Sequence, residues 1–141
     1  MTPKPIKLLT KEEILAAPEE DYMNEEQLEF FRVLLIELYE STLQRIQEAK
    51  QQMTQPHDSS DANDLASWQE QSNIALRIVD REQKLLPKIQ SALERIRLGT
   101  FGYCKESEEP IGIARLIARP TADFAAEVKA LKELQESHFK G

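Results

Sequence analysis

Cysteine is almost absent from this 141-residue chain, which contains Cys104 and no other. A single cysteine excludes a disulfide within the chain and is typical of proteins from a reducing compartment. A structural zinc site needs four nitrogen or sulfur ligands. In the stretch FGYCKESEEPIG (101–112), however, Ser107 stands where a C-x-x-C pair would place the second cysteine. Cys104 is thus either a metal ligand without partners or a half-buried small residue of a hairpin, and we favour the second interpretation.

Long apolar runs are also absent. No stretch approaches the ~18 apolar residues that a membrane span requires, and the first residues lack the apolar core of a signal peptide. We therefore expect a soluble cytoplasmic protein without membrane partners. The formal net charge is −7, which argues against a protein that binds nucleic acid directly, because such proteins normally carry a basic surface.

Motifs of catalysis are missing as well. The chain has no glycine-rich phosphate loop, no nucleophile elbow and no His-Glu metal motif. We predict that the protein is not an enzyme and has no catalytic residues.

Charge is distributed unevenly along the chain. Residues 1–73 contain 6 Lys and Arg against 15 Asp and Glu, whereas residues 74–141 contain 12 against 10. Four cations of the second half, at spacings of 4, 3 and 4, share one helix face: Arg77, Arg81, Lys84 and Lys88. This face is either a solvated surface or, together with Arg115, Arg119 and Lys129, part of a site for a polyphosphate.

The sequence pattern predicts two long helices. The first begins at Asn24 and runs without Pro or Gly until Pro56. Its apolar seam has nearly coiled-coil spacing: Phe31, Leu35, Leu38, Thr42, Ile46, Ala49 and Met53. The second runs from about Asp64 to Leu98, with a predicted seam at Ile78, Leu85, Ile89, Ala92 and Ile96 and the charged Glu82 as an exception. Pro87 predicts a kink near residues 83–87 rather than a stop.

These elements predict a mainly α-helical fold, in which a long antiparallel coiled-coil hairpin projects from a small globular base. Residues 1–23 would form an N-terminal segment packed on the base, and residues 24–98 the coiled-coil arm, with its tip at about 56–66. Residues 99–141 would form a zinc-finger-like base without metal ligands, containing a short β-hairpin and a C-terminal helix.

The acids of the stretch DANDLA lie at the predicted tip. Asp61 and Asp64 are good helix caps, which is the simpler interpretation. Alternatively, a carboxylate pair at the far end of a long hairpin could approach a cation or a basic loop in the cavity of a partner.

Several motifs occur in an order that resembles the DksA/TraR family of bacterial transcription factors. The similar stretches are DYMNEEQLEFF (21–31), DANDLA (61–66), DREQKL (80–85), FGYC (101–104) and IGIARLIARPTAD (111–123) followed by Lys129. The resemblance covers roughly residues 20–140. It implies a factor that binds RNA polymerase rather than DNA, with the coiled coil in the secondary channel.

The resemblance also implies roles for individual residues. Asp61, Asp64 and Ala66 would act at the tip, near the polymerase active site, and open complexes at ribosomal RNA promoters would be destabilised. The alarmone guanosine tetraphosphate (ppGpp) would strengthen this effect, bound between the factor and the polymerase. The nucleotide-facing positions would be Arg81, Leu85, Lys88, Arg119 and Lys129.

Most members of this family hold the base with four cysteines around zinc. The matching positions here are Cys104, Ser107, Ala125 and Val128, so the chain resembles the cysteine-poor, zinc-independent variants. We expect no metal cofactor, and we expect Ala125 and Val128, both on the final helix, to fill the volume of the metal.

Two other classes remain open: a Gre-like transcript-cleavage factor, and a coiled-coil adaptor that self-associates. The preferred interpretation predicts a monomer.

Overall fold

The computed structural model describes residues 6–54 and 61–140. Its elements are helix α1 (Lys11–Ala16), a 3₁₀ turn (Glu19–Asp21), and helices α2 (Glu25–Thr54), α3 (Ala62–Leu98), α4 (Ile113–Ala118) and α5 (Ala126–Lys140). Within these ranges the predicted β-hairpin is reduced to one antiparallel bridge between Tyr103 and Pro110. The mainly helical fold is confirmed. None of the described helices is long and apolar enough to cross a membrane.

Helix starts follow the capping residues of the sequence. Thr10 and Glu13 form a capping box at the start of α1: the Thr10 hydroxyl accepts from the Glu13 amide, and the Glu13 carboxylate accepts from the Thr10 amide. Asn24 begins α2, since its side-chain oxygen accepts from the Gln27 amide at 2.9 Å. Helix α3 continues through Pro87 to Leu98, which confirms that this proline does not end the helix.

The chain forms two compact units. The arm unit is Ile36–Ile89, and the base unit comprises Met1–Leu35 and Gln90–Gly141 as far as these residues are described. The predicted division into residues 1–23, 24–98 and 99–141 stays a prediction, and tip residues 56–60 lie outside the described residues.

In the arm unit, α2 and α3 pack as a helical hairpin. The predicted α2 seam is confirmed, since Thr42, Ile46 and Ala49 are buried. The predicted α3 seam is wrong in its first half: the buried residues there are Ala75 and Val79, which form a core with Ile46 and Ala49, while Ile78 only packs at its edge. Small side chains allow the helices to approach closely, although they contribute little to an apolar pattern.

In the base unit, aromatic residues join the α2 start to the loop after α3. Phe31 and Phe101 are fully buried, with ring centroids 5.4 Å apart. The Tyr22 hydroxyl donates to the Gly102 carbonyl at 2.5 Å and accepts from the Gly112 amide at 3.0 Å. Gly102 has φ +91°, and an added Cβ would lie 2.7 Å from the Met23 side chain, so this close approach requires glycine. These bonds hold the N-terminal segment against the loop.

Candidate functional site

The predicted tip residues lie on the first turns of α3. The carboxylate of Asp61 accepts from the Asn63 amide at 3.0 Å, and its backbone carbonyl accepts from the Leu65 amide at 3.0 Å. Asp61 therefore caps α3, and Asp64 lies in the first turn, where a negative charge is favourable. Asp61, Asp64 and Ala66 are all exposed. Capping accounts for Asp61, and Asp64 is exposed on the first turn of α3.

The predicted basic face is exposed on α3 in the arm unit. A surface depression of about 390 Å³ is lined by Asp80, Arg81, Glu82, Lys84, Leu85 and Lys88. The Lys84 amine lies 3.1 Å from the Asp80 carboxylate, and an Arg81 guanidinium nitrogen lies 3.6 Å from the Glu82 carboxylate. Among the described residues, no carboxylate lies within ion-pair distance of the Lys88 amine. The depression thus combines exposed cations with one apolar residue, Leu85, which suits an anion with an apolar part.

The other two nucleotide-facing positions belong to the base unit. Arg119 is exposed and ends α4, where its amide donates to the Arg115 carbonyl at 2.7 Å. Lys129 is half-buried on α5, with its amine 3.9 Å from the Glu133 carboxylate. The roles of all five positions stay predictions.

Cys104 is the first of the four positions at which the resemblance predicts a degenerate zinc site. Its side chain is buried, with 2% exposed. Burial opposes ionisation of the thiol, but the Ser107 hydroxyl and the backbone amides of Ser107, Ala125 and Glu106 donate to the sulfur. These bonds outweigh burial and lower the Cys104 pKa to about 7. The residues that lower this pKa belong to two separate segments of the chain, the loop after Cys104 and the start of α5.

Ion pairs join the same two segments around the sulfur. The Lys105 amide donates to the Asp123 carbonyl at 2.9 Å, and its amine lies 3.2 Å from the Asp123 carboxylate. The Lys132 amine lies 2.6 Å from the Glu106 carboxylate and 4.9 Å from the centre of the Phe124 ring. These contacts connect the loop after Cys104 to residues at and near the start of α5.

The residues at this position do not fit a tetrahedral zinc site. Among the four positions, Cys104 offers one sulfur, and the side chains of Ser107, Ala125 and Val128 offer no further sulfur or nitrogen ligand. Helix α5 begins at Ala126, so Ala125 is its N-cap residue rather than a residue within it, and the Ala125 carbonyl accepts from the Lys129 amide at 2.9 Å. The expectation that Ala125 and Val128 fill the volume of a metal stays a prediction. Val128 is half-buried on α5. No group of three or more His, Cys, Asp and Glu residues suited to a metal occurs in the described ranges.

One buried interaction of the arm unit was not predicted from the sequence. Glu82 has only 6% of its surface exposed, and its carboxylate lies 3.2 Å from a guanidinium nitrogen of Arg45 on α2. The available signal was a carboxylate at a seam position, which requires a cation from the opposite helix.

Comparison with known proteins identifies the class to which this fold belongs. Residues 27–96 match the family described as the DnaK suppressor protein DksA, N-terminal domain. The RNA polymerase-binding transcription factor DksA of Caulobacter vibrioides is 39% identical over 132 residues, covering 92% of each chain. The protein of the same name from Escherichia coli K12 is 39% identical over 128 residues, covering 88% of this chain and 83% of the relative.

A solved structure shows the same fold. Transcription factor DksA2 from Pseudomonas aeruginosa superposes with a TM-score of 0.77 at 42% identity, covering 92% of this chain and all of that one. This chain therefore belongs to the DksA family of transcription factors.

Proposed function

We propose that this protein binds RNA polymerase and regulates the initiation of transcription. The observation that carries this proposal is the 39% identity to relatives named as RNA polymerase-binding factors, extending over 92% of both chains. The similarity includes the helical hairpin of the arm unit and the loop around Cys104 in the base unit. We further propose a cytoplasmic monomer that acts by binding and catalyses no reaction.

The proposed mechanism is differential binding to two states of the polymerase. The arm would enter the secondary channel and place Asp64 near the active site, where an exposed carboxylate can contact basic groups of the enzyme. If the factor binds the closed promoter complex more tightly than the open one, it shifts the equilibrium toward the closed state. A tenfold shift requires a difference of only ~1.4 kcal/mol, which one charged contact can supply.

The proposed effector is ppGpp, bound jointly by the factor and the polymerase. The exposed cations Arg81 and Lys88 would contact phosphate oxygens, since guanidinium and ammonium groups are suited to them. Leu85 would pack against an apolar part of the nucleotide. Arg119 and Lys129 would supply further positive charge.

The same proposal includes independence from zinc. A four-cysteine site stabilises a small domain directly, so a chain with one cysteine must replace that contribution. The hydrogen bonds to the Cys104 sulfur and the ion pairs of Lys105 and Lys132 support this view.

In vitro transcription from a ribosomal RNA promoter, in metal-free buffer with and without ppGpp, tests the proposal. The protein should inhibit transcription, and ppGpp should deepen the inhibition. Asp64→Asn should retain its melting temperature and polymerase affinity and lose inhibition. The matched control is Glu70→Gln, an exposed carboxylate further along α3, which should inhibit normally. Full inhibition by Asp64→Asn would refute the role of the tip.

The same preparation distinguishes the alternative classes. A Gre-like factor would shorten the RNA of stalled elongation complexes, whereas we expect the transcript to keep its length. A self-associating adaptor would show a dimer or larger mass by light scattering, whereas we expect the mass of one chain.

A further inference from the structure

Glu82 is a charged residue in the buried seam of the arm unit. It lies on the same face of α3 as Val79 and the fully buried Ile89 and has 6% of its surface exposed. Burial of a carboxylate is unfavourable unless cations and hydrogen-bond donors compensate for the lost water. An apolar residue would pack at this position without that penalty.

The compensating groups form a chain of polar contacts from α2 to α3. One Glu82 carboxylate oxygen lies 3.2 Å from Arg45 Nη2, and the other lies 3.6 Å from Arg81 Nη2. The same Arg45 nitrogen donates to the Thr42 hydroxyl at 3.1 Å, and that hydroxyl donates to the Leu38 carbonyl at 2.6 Å. The buried carboxylate therefore has one partner on each helix.

The surrounding apolar core is poorly suited to define a unique pairing of the two helices. Its buried members are Ile46, Ala49, Ala75 and Val79, and the two alanines present nearly smooth surfaces. If α3 slipped along α2 by one turn, apolar residues would again face each other. The Glu82 carboxylate, however, would move about 5.4 Å away from Arg45 and remain buried without it. Only one register satisfies the charge.

We propose that Glu82 is a positioning residue that fixes the register of α2 and α3 through Arg45 and thereby sets the direction in which Arg81 is presented. Buried polar groups that specify one register at the expense of stability are known in coiled coils. The claim about Arg81 rests on the proposed function, because it assumes that Arg81 faces a nucleotide. The claim that Glu82 fixes the register of the two helices does not depend on that function.

Distances between spin labels test the register directly. Labels at Glu40→Cys and Asn73→Cys occupy exposed positions of the arm unit. In the register that pairs Arg45 with Glu82, these sites are offset by about 20 Å along the helices, so a slip changes their separation. Cys104 is a third cysteine of these variants, but it is buried and we expect it not to react with the label. Mass spectrometry verifies that each chain carries two labels.

We expect one narrow distance distribution for the labelled parent and for Glu70→Gln, the exposed control. The apolar pair Arg45→Met with Glu82→Leu should retain the melting temperature but add a second population, displaced by about 5 Å. The exchanged pair Arg45→Glu with Glu82→Arg should restore the single distribution. A single, unshifted distance in the apolar pair would overturn the proposal.

The nucleotide part is measured on the complex with polymerase. The apolar pair should bind polymerase as the parent does but bind ppGpp more weakly in proportion to the displaced register, about twofold where the two registers are equally populated. Unchanged ppGpp affinity in a variant with two registers would refute the role of Glu82 in presenting Arg81. If the parent itself failed to bind polymerase, the proposed function would be refuted, while the distance measurement would still decide the register.

Discussion

The thiol of Cys104 makes the stability of the protein depend on pH, and the size of the effect follows from its hydrogen bonds. Its pKa in the folded protein is about 7, compared with about 8.5 for a thiol in the unfolded chain. The folded state therefore favours the thiolate. The resulting stability is fully present above pH 8.5 and is lost as the pH falls through 7.

The magnitude follows from the difference between the two pKa values. A difference of about 1.5 corresponds to ~2 kcal/mol at 1.36 kcal/mol for each unit. The free energy of unfolding should thus rise by about 2 kcal/mol between pH 6 and pH 9 because of this one group. Cys104→Ala removes this contribution together with a pH-independent loss of packing, which cancels in the difference between the two pH values.

Urea denaturation of the reduced protein at pH 6 and pH 9 measures this difference. The parent should gain about 2 kcal/mol more than Cys104→Ala over this interval. Other titrating groups, the two histidines included, are present in both proteins and cancel. An equal change with pH in the two proteins would refute the view that the hydrogen bonds to sulfur stabilise the base unit.

Three further perturbations address the other stabilising contacts. Arg45→Met should lower the free energy of unfolding by about 2–3 kcal/mol, measured by urea denaturation. The loss is smaller than for a deeply buried pair because the Arg45 side chain is 43% exposed. Adding Glu82→Leu to this variant should reverse the loss. Tyr22→Phe should cost about 1–2 kcal/mol in the same assay, since the Gly102 carbonyl and the Gly112 amide both lose a partner; an unchanged midpoint would contradict the bridging role. Treatment with a strong chelator should leave the helical circular dichroism and the melting curve unchanged, and a large loss would reveal a structural metal.

Local signals in the sequence predicted the helices well. The start of α2 at Asn24 follows from the capping chemistry of its side chain, and the continuation of α3 past Pro87 follows from the apolar seam on both sides of the proline. The α2 seam was also predictable, because large apolar residues such as Phe31, Leu35 and Ile46 mark it.

The α3 seam was harder to predict because the packed face carries small side chains. Ala75 and Val79 are buried, yet Ile78 and Leu85 dominate the apolar pattern. The face that is buried depends on how closely α2 approaches, which is a property of both helices. Glu82 was recognised as an exception to the seam, but nothing in the sequence identified Arg45 as its partner.

At the candidate sites, the sequence indicated which residues share a helix face but not what holds them. The exposed position of Asp64 on the first turn of α3 follows from local chemistry. The contacts of Cys104 could not be predicted in this way, because most of them come from backbone amides. Every residue except proline has such an amide, so the sequence does not indicate which ones lie near the sulfur.

The most direct test of the central claim is the affinity of RNA polymerase for this protein prepared without metal, compared with the same protein after addition of zinc. The zinc content of each sample is determined by mass spectrometry. We expect equal affinities, with far less than one zinc per chain in the metal-free sample. Polymerase binding that appears only after zinc is added would contradict the account, and absence of binding in both samples would refute the proposed function.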